Sequence, residues 1–265
     1  MTQSGATYNG SKRNESPSSA ERCEGGFSLL GEVWEARAGL ITSQPLFAGL
    51  KPACVRLLLE NCEASLVEAR RGDVLCMIGD AVRDAERFGC LLSGLLYHER
   101  YDGIGNCRIS DVVEPGGLLG SVHQFGGENM HRTAMHFVRD SLCLFVCLET
   151  VSWESCGGDA VRAQVLENVA RLQAANMRRL FAHVSQLGKR SVRQKVVAFC
   201  LNEVRERGTR SFDVPFNQQA LADYLCITRP TLSIELGKLA DEGLLTFYHG
   251  HVEVSPDLKT SAEVS

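Results

Sequence analysis

The chain lacks the short signatures that mark most catalytic and metal-binding folds. No two of its cysteines stand in a CxxC pair, no G-x-S-x-G elbow occurs and no Walker A loop is present. These absences argue against a ribbon-type zinc site, a serine nucleophile of the hydrolase kind and phosphate transfer. Its longest apolar runs, such as Ser141 to Leu148, fall far short of the 18 or more residues of a membrane span, and the polar N-terminus is not that of a signal peptide. A cytoplasmic protein without membrane contact is expected. An excess of positive charge is missing too: 28 Lys and Arg stand against 32 Asp and Glu, a net charge of −4. No global field draws this chain to nucleic acid, so any DNA contact must be a local patch.

A length of 265 residues corresponds to about two domains, and 44 % hydrophobic residues suffice to build real cores. The eleven cysteines are odd in number and scattered through apolar stretches, which fits reduced thiols rather than a disulfide framework. Cys143 and Cys147 fall on one face of an expected strand, where small apolar residues suit a barrel interior.

Composition divides the chain into segments. Residues 1–26 are Ser, Gly, Asn and charged residues with almost no apolar side chains, and a disordered leader is placed at 1–38. Over 39–156, short apolar runs (Val74–Ile78, Cys90–Leu96, Cys107–Val113, Leu142–Leu148) alternate with Gly, Asp and Asn, the pattern of an antiparallel β-roll. After Gly157 and Gly158 the period changes. Val161, Val165, Val169, Leu172, Asn176, Leu180, Val184 and Leu187 follow a spacing near the 3.5-residue coiled-coil repeat, predicting a single long helix over 157–188. Such a stripe needs a partner surface along its length, and the simplest partner is a second copy, with Asn176 setting register; packing on the preceding roll is the alternative. Between Asn168 and Asn202 lie seven Lys or Arg and no acid, a local basic patch that includes Lys189 and Arg190.

Residues 189–258, followed by a tail at 259–265, read as helix, extended segment, two short helices and hairpin. Pro215 forbids helix before Asn217, which caps a helix from Gln218. Thr228 caps the next helix, and Arg229 and Pro230 occupy its first turn, where proline costs no backbone hydrogen bond. Two helices joined by a three-residue turn and followed by a hairpin are the layout of a winged helix-turn-helix, whose second helix presents its first turns to base edges. Arg229, Pro230, Thr231 and Ser233 are therefore the candidate base-facing residues. Gln218, Thr228, Lys189 and Arg190 suit phosphates.

The stretch Val214-Pro-Phe-Asn-Gln-Gln-Ala-Leu-Ala-Asp-Tyr-Leu225, with Thr228-Arg-Pro-Thr-Leu-Ser233, Glu235-Leu236 and Asp241-Glu-Gly-Leu-Leu245, resembles the Crp/Fnr superfamily of bacterial transcription regulators over about residues 40–258. The resemblance implies an α+β chain with an N-terminal cyclic-nucleotide-binding-like roll and a dimerisation helix carrying Val165, Val169, Leu172, Asn176 and Leu180. It also implies a DNA-reading winged helix that recognises an inverted repeat and contact with RNA polymerase. Ile234 stands where many members carry a basic base-reading residue, so operator preference does not carry over.

In the cyclic-nucleotide binders of this architecture a Gly-Glu pair and a later Arg-Ser/Thr-Ala grip ribose and phosphate. Here Gly120 is followed by Ser121 instead of glutamate, while Arg132 and Thr133 keep the anion end. The resemblance therefore points to an unidentified small effector, preferably anionic and not a cyclic nucleotide. An iron-sulfur cluster is not supported, since only Cys23 precedes Cys54, and His98, His123, His131 and His136 fit no haem or metal template. A haem, metal or thiol sensor of the same architecture is the alternative. A jelly-roll metal enzyme and a protein-interaction scaffold are remoter rivals, and no enzymatic activity is expected.

Overall fold

The computed structural model describes residues 29–62, 64–77, 88–101, 107–119, 133–248 and 250–258. Its first element is helix α1 (Leu29–Thr42), followed by a 3-10 turn (Pro45–Phe47) and helix α2 (Pro52–Glu60). The leader expected to run to residue 38 is thus already helical from Leu29. Trp34 and Ile41 anchor it: both are buried, seven residues apart and so on one helix face. The apolar residues of this segment are spread around the helix rather than gathered in one stripe, so no helical period stands out in the sequence.

Eight strands follow: β1 (Ser65–Ala69), β2 (Val74–Met77), β3 (Phe88–Ser93), β4 (Leu96–Tyr101), β5 (Cys107–Val113), β6 (Leu118–Leu119), β7 (Thr133–Phe137) and β8 (Ser141–Val146). They form two antiparallel four-stranded sheets, ordered β1-β8-β3-β6 and β2-β7-β4-β5, the expected roll. Where the sequence pattern merges Cys90–Leu96 into one strand, the chain turns between β3 and β4 at Gly94, whose φ is +102°. A Cβ there would come within 2.1 Å of the Ser141 hydroxyl oxygen, so only glycine fits.

Strand β8 is buried at every position, and alternation explains how. Cys143 and Phe145 face the space between the sheets with Leu91, Leu96, Met135 and Phe137. Leu142, Leu144 and Val146 face the other way, into a cluster with Leu58, Leu59 and Ile41 from the helices. This sheet is covered on both faces, which is why its central strand reads as an unbroken apolar run. Burial pushes the Cys143 thiol up to about 12, as expected of an inert packing residue.

A short helix α3 (Trp153–Cys156) leads into α4 (Gly158–Leu187), a single 30-residue helix. Its apolar stripe is divided between two environments. Val161, Val165 and Val169 are buried in the cluster under the roll's helices, with Leu172 packed at its edge. Asn168, also buried, donates to the carbonyls of Leu46 and Ala48 at 3.0 and 2.8 Å, tying α4 to the 3-10 turn. Val165 and Val169 therefore meet the chain's own roll and not a second copy, correcting the expectation that the stripe needs an external partner along its whole length. Beyond them, Met177, Leu180, Phe181 and Val184 are 53–67 % exposed. Asn176, half-buried, accepts from Arg179.

Helix α5 (Val192–Arg207) opens with a capping box, the Ser191 hydroxyl accepting from Gln194 N–H, and ends at Gly208 in the left-handed region. Then come β9 (Ser211–Asp213), α6 (Gln218–Tyr224), α7 (Arg229–Asp241), β10 (Leu245–Tyr248) and β11 (His251–Val254). The last three strands pair in the order β10-β11-β9, a wing beside the helix pair.

Candidate nucleic-acid interface

The interface is built from the start of α7. Thr228 has extended backbone angles, and its hydroxyl oxygen accepts from Thr231 N–H at 3.4 Å while sharing a 2.7 Å hydrogen bond with the Thr231 hydroxyl. That cap fixes where the helix begins. Leu232 and Leu239 are fully buried and Leu236 nearly so, and they set which side of α7 faces the core. Arg229, Pro230, Thr231, Ser233 and Ile234 all remain exposed. Helix α6 is capped by Asn217, whose side-chain oxygen accepts from Ala220 N–H at 2.8 Å. Gln218, next in the chain, is half-buried.

The turn between the helices carries a feature that sequence reasoning missed. Cys226 is the one non-glycine residue with positive φ among the described residues, at +51°. This lets Ile227 N–H reach back to the Ala222 carbonyl at 3.0 Å and swings the chain into α7.

One member of the basic patch holds α7 in place, and two others have structural partners elsewhere. Arg193 on α5 makes a two-pronged contact with Glu242 at the end of α7 and reaches Glu235 in its middle at 3.4 Å. The guanidinium holds the Glu242 carboxyl below its ordinary range, chiefly by hydrogen bonding. Lys195 donates to the Leu225 carbonyl at 3.2 Å, closing the end of α6. Arg171 pairs with Glu167 on α4 at 2.6 Å. Lys189 and Arg190 are exposed in the link between α4 and α5. Same-sign clustering in sequence marked all of these, but the acids that occupy Arg193 lie more than forty residues away.

The roll, α4 and the helix-turn-helix meet at an aromatic cluster. Tyr97 on β4 donates its phenol proton to the Pro215 carbonyl, and its ring lies 5.7 Å from that of Phe216. Phe216 and Phe199 both pack against Tyr224, at 4.9 and 6.1 Å between ring centres. His183 of α4 stacks on Tyr224 at 3.8 Å, and its Nε2 lies 2.8 Å from the Tyr224 carbonyl oxygen. Burial raises both phenols, Tyr97 to about 12. Leu95, Tyr97 and Ile109 of the roll thus share one core with Leu221, Leu225, Leu232 and Leu236. None of this contact is visible in local sequence pattern.

Of the expected effector residues, Gly120, Ser121 and Arg132 lie outside the described residues, and Thr133 opens β7. His123 and His131 also lie outside them. His136 places Nδ1 2.9 Å from a carboxylate oxygen of the buried Glu99. Among the described residues, no helix is long and apolar enough to cross a membrane.

Comparison with known proteins agrees with this architecture. Residues 194–256 match the family of Crp-like helix-turn-helix domains. A stretch of 107 residues is 30 % identical to the nitrogen fixation regulation protein FixK of Bradyrhizobium diazoefficiens, covering 38 % of this chain and 45 % of that protein, less than half its length. Among solved structures, FixK2 from Bradyrhizobium japonicum superposes with a TM-score of 0.56 at 20 % identity, over 72 % of this chain and 92 % of that one. A cyclic nucleotide-binding domain containing protein from Listeria monocytogenes superposes with a TM-score of 0.58 at 15 % identity, over 85 % and 99 % of the two chains. At such identities the superpositions establish fold alone. The chain carries a Crp-like helix-turn-helix domain and shares the fold of Crp/Fnr-family regulators, a cyclic-nucleotide-binding-like roll joined by a long helix to a winged helix-turn-helix.

Proposed function

We propose that this chain is a homodimeric transcription regulator that binds an inverted-repeat promoter site through α7 and responds to a small effector held in its roll. The observation that carries the reading is the exposed first turn of α7. Thr228 caps it, Arg193 pins the helix from behind, and Arg229, Pro230, Thr231 and Ser233 face outward. An exposed arginine there suits the bidentate contact to guanine in the major groove, and Lys189 and Arg190 supply phosphate charge that positions the domain without reading sequence.

The far half of α4 supports a twofold partner. Met177, Leu180, Phe181 and Val184 present an apolar surface at helical spacing that stays exposed among the described residues. A parallel pair of such helices sets two α7 helices side by side, which calls for half-sites about one helical turn of DNA apart, roughly 34–36 Å.

Effector response rests on the shared core between roll and helix-turn-helix. A ligand that changes the roll's packing beneath Tyr97 changes the pose of Pro215 and Phe216, and so shifts the population of DNA-competent dimers by its differential affinity, typically about 1–3 kcal/mol. Arg132 and Thr133 are the proposed anion grip. RNA polymerase is the proposed downstream partner.

The test is selection from a randomised duplex DNA pool with the purified protein. Enrichment of a two-fold repeat supports the reading; an unenriched pool, or a single unrepeated motif, refutes it.

A further inference from the structure

The side of α7 opposite its buried line is apolar over its first two and a half turns and ends at the exposed Asp241. At 3.6 residues per turn, the buried line through Leu232, Leu236 and Leu239 places Pro230, Ile234 and Gly237 on the opposite side of the helix. None of these three carries a side-chain hydrogen-bond donor or acceptor. Ile234 is 61 % exposed. A Cβ added at Gly237 would meet nothing within 4 Å, so the position one turn beyond Ile234 is open and carries no side chain of its own. The polar side chains Arg229 and Ser233 fall to one flank of this line. The acid of the second turn, Glu235, is turned inward and held by Arg193 and Lys238, with its side chain only 12 % exposed.

An isoleucine pressed against hydrogen-bonding base edges would strip water from them without replacing it. Among the groups that base pairs present in the major groove, one is apolar, the 5-methyl of thymine. We infer that Ile234 is a specificity-determining residue that selects thymine in each half-site by packing on that methyl, with Gly237 admitting the close approach. This rests on the reading of α7 as the base-facing helix and goes beyond it by assigning one base through one side chain.

Ile234 belongs to no core cluster among the described residues, so Ile234→Ala is expected to leave the fold intact. The duplex pool is selected in parallel with wild type and with Ile234→Ala, and each thymine of the wild-type consensus is then replaced by deoxyuridine, which removes only the methyl. Wild type is expected to select a symmetry-related thymine that Ile234→Ala no longer enriches. Replacing it with deoxyuridine should weaken wild-type binding about fourfold in one half-site and about fifteenfold in both, the worth of one buried methyl at each. The alanine variant should change less than about twofold on the same duplexes. If wild type selects a repeat but no thymine is sensitive to deoxyuridine, or Ile234→Ala shows the same sensitivity, the assignment to Ile234 is overturned while α7 remains the reading helix. If wild type enriches no sequence, both are overturned.

Discussion

Replacing Phe181 with aspartate separates the two halves of the long helix. Fully burying a side chain of this kind is worth about 1.5–3 kcal/mol. Met177, Leu180, Phe181 and Val184 are 57, 53, 67 and 57 % exposed in the protomer, so roughly half to two thirds of that worth is still to be gained at each. Four such side chains on each of two protomers supply a gross gain of about 7–14 kcal/mol, similar to the roughly 4–15 kcal/mol that association costs. A dimer poised on so narrow a margin depends on every member of the patch. Phe181→Asp removes two of the eight side chains, a loss of about 2–4 kcal/mol or about thirty- to several-hundredfold in the dimer dissociation constant, and the two carboxylates it forces into an apolar seam add to that loss. The protomer itself should keep its far-UV circular dichroism, because Phe181 is in none of its cores. The control is Val165→Asp: Val165 is 1 % exposed within the roll's own cluster, and an unpaired carboxylate there should unfold the roll. Sedimentation velocity across a concentration series reads the first variant and thermal unfolding reads the second. A Phe181→Asp protein that stays dimeric, or a Val165→Asp protein that is folded and merely monomeric, would refute the division of the stripe.

Arg229→Ala should weaken binding to a selected site by about 1–3 kcal/mol while barely changing affinity for random duplex, whereas Lys189→Ala or Arg190→Ala should weaken both equally and flatten the salt dependence. Fluorescence anisotropy at several salt concentrations distinguishes the two patterns, and equal losses for Arg229→Ala on both duplexes would make it a phosphate contact. Thr228→Ala, which deletes the cap of α7, should cost about 1 kcal/mol in denaturant unfolding; no change would mean that the cap hydrogen bond contributes nothing to stability. Burial pushes the Cys90, Cys143 and Cys200 thiols up from 9.0 to about 12 and the Tyr97 phenol from 10.0 to about 12. These groups keep their protons in the fold while the unfolded chain loses them first, so stability should be intact below about pH 9 and fall steadily towards pH 12. Denaturant midpoints that stay level between pH 8 and 11 would contradict that burial.

The sequence by itself determined the boundaries of the two helices of the helix-turn-helix, though not those of α1 or of strands β3 and β4. Asn217 and Thr228 cap their helices and Pro215 keeps its segment extended, because capping and breaking are properties of one residue and its nearest neighbours. Short apolar runs broken by Gly, Asp and Asn and the long 3.5-residue stripe likewise announced the roll and the 30-residue helix, since such patterns are local. Periodicity names the apolar face of a helix but not what covers it. Only the tertiary structure showed that Val165 and Val169 meet the roll while Leu180 and Phe181 remain bare. Partnership over long separations was equally hidden: Arg193 reads as one more basic residue until Glu235 and Glu242 come within reach, and Tyr97 shows no tie to Pro215, 118 residues on, until the domains pack. Helix α1 stayed hidden because its stability comes from Trp34 and Ile41 docking on α2 and the roll, a gain that exists only once that surface has formed.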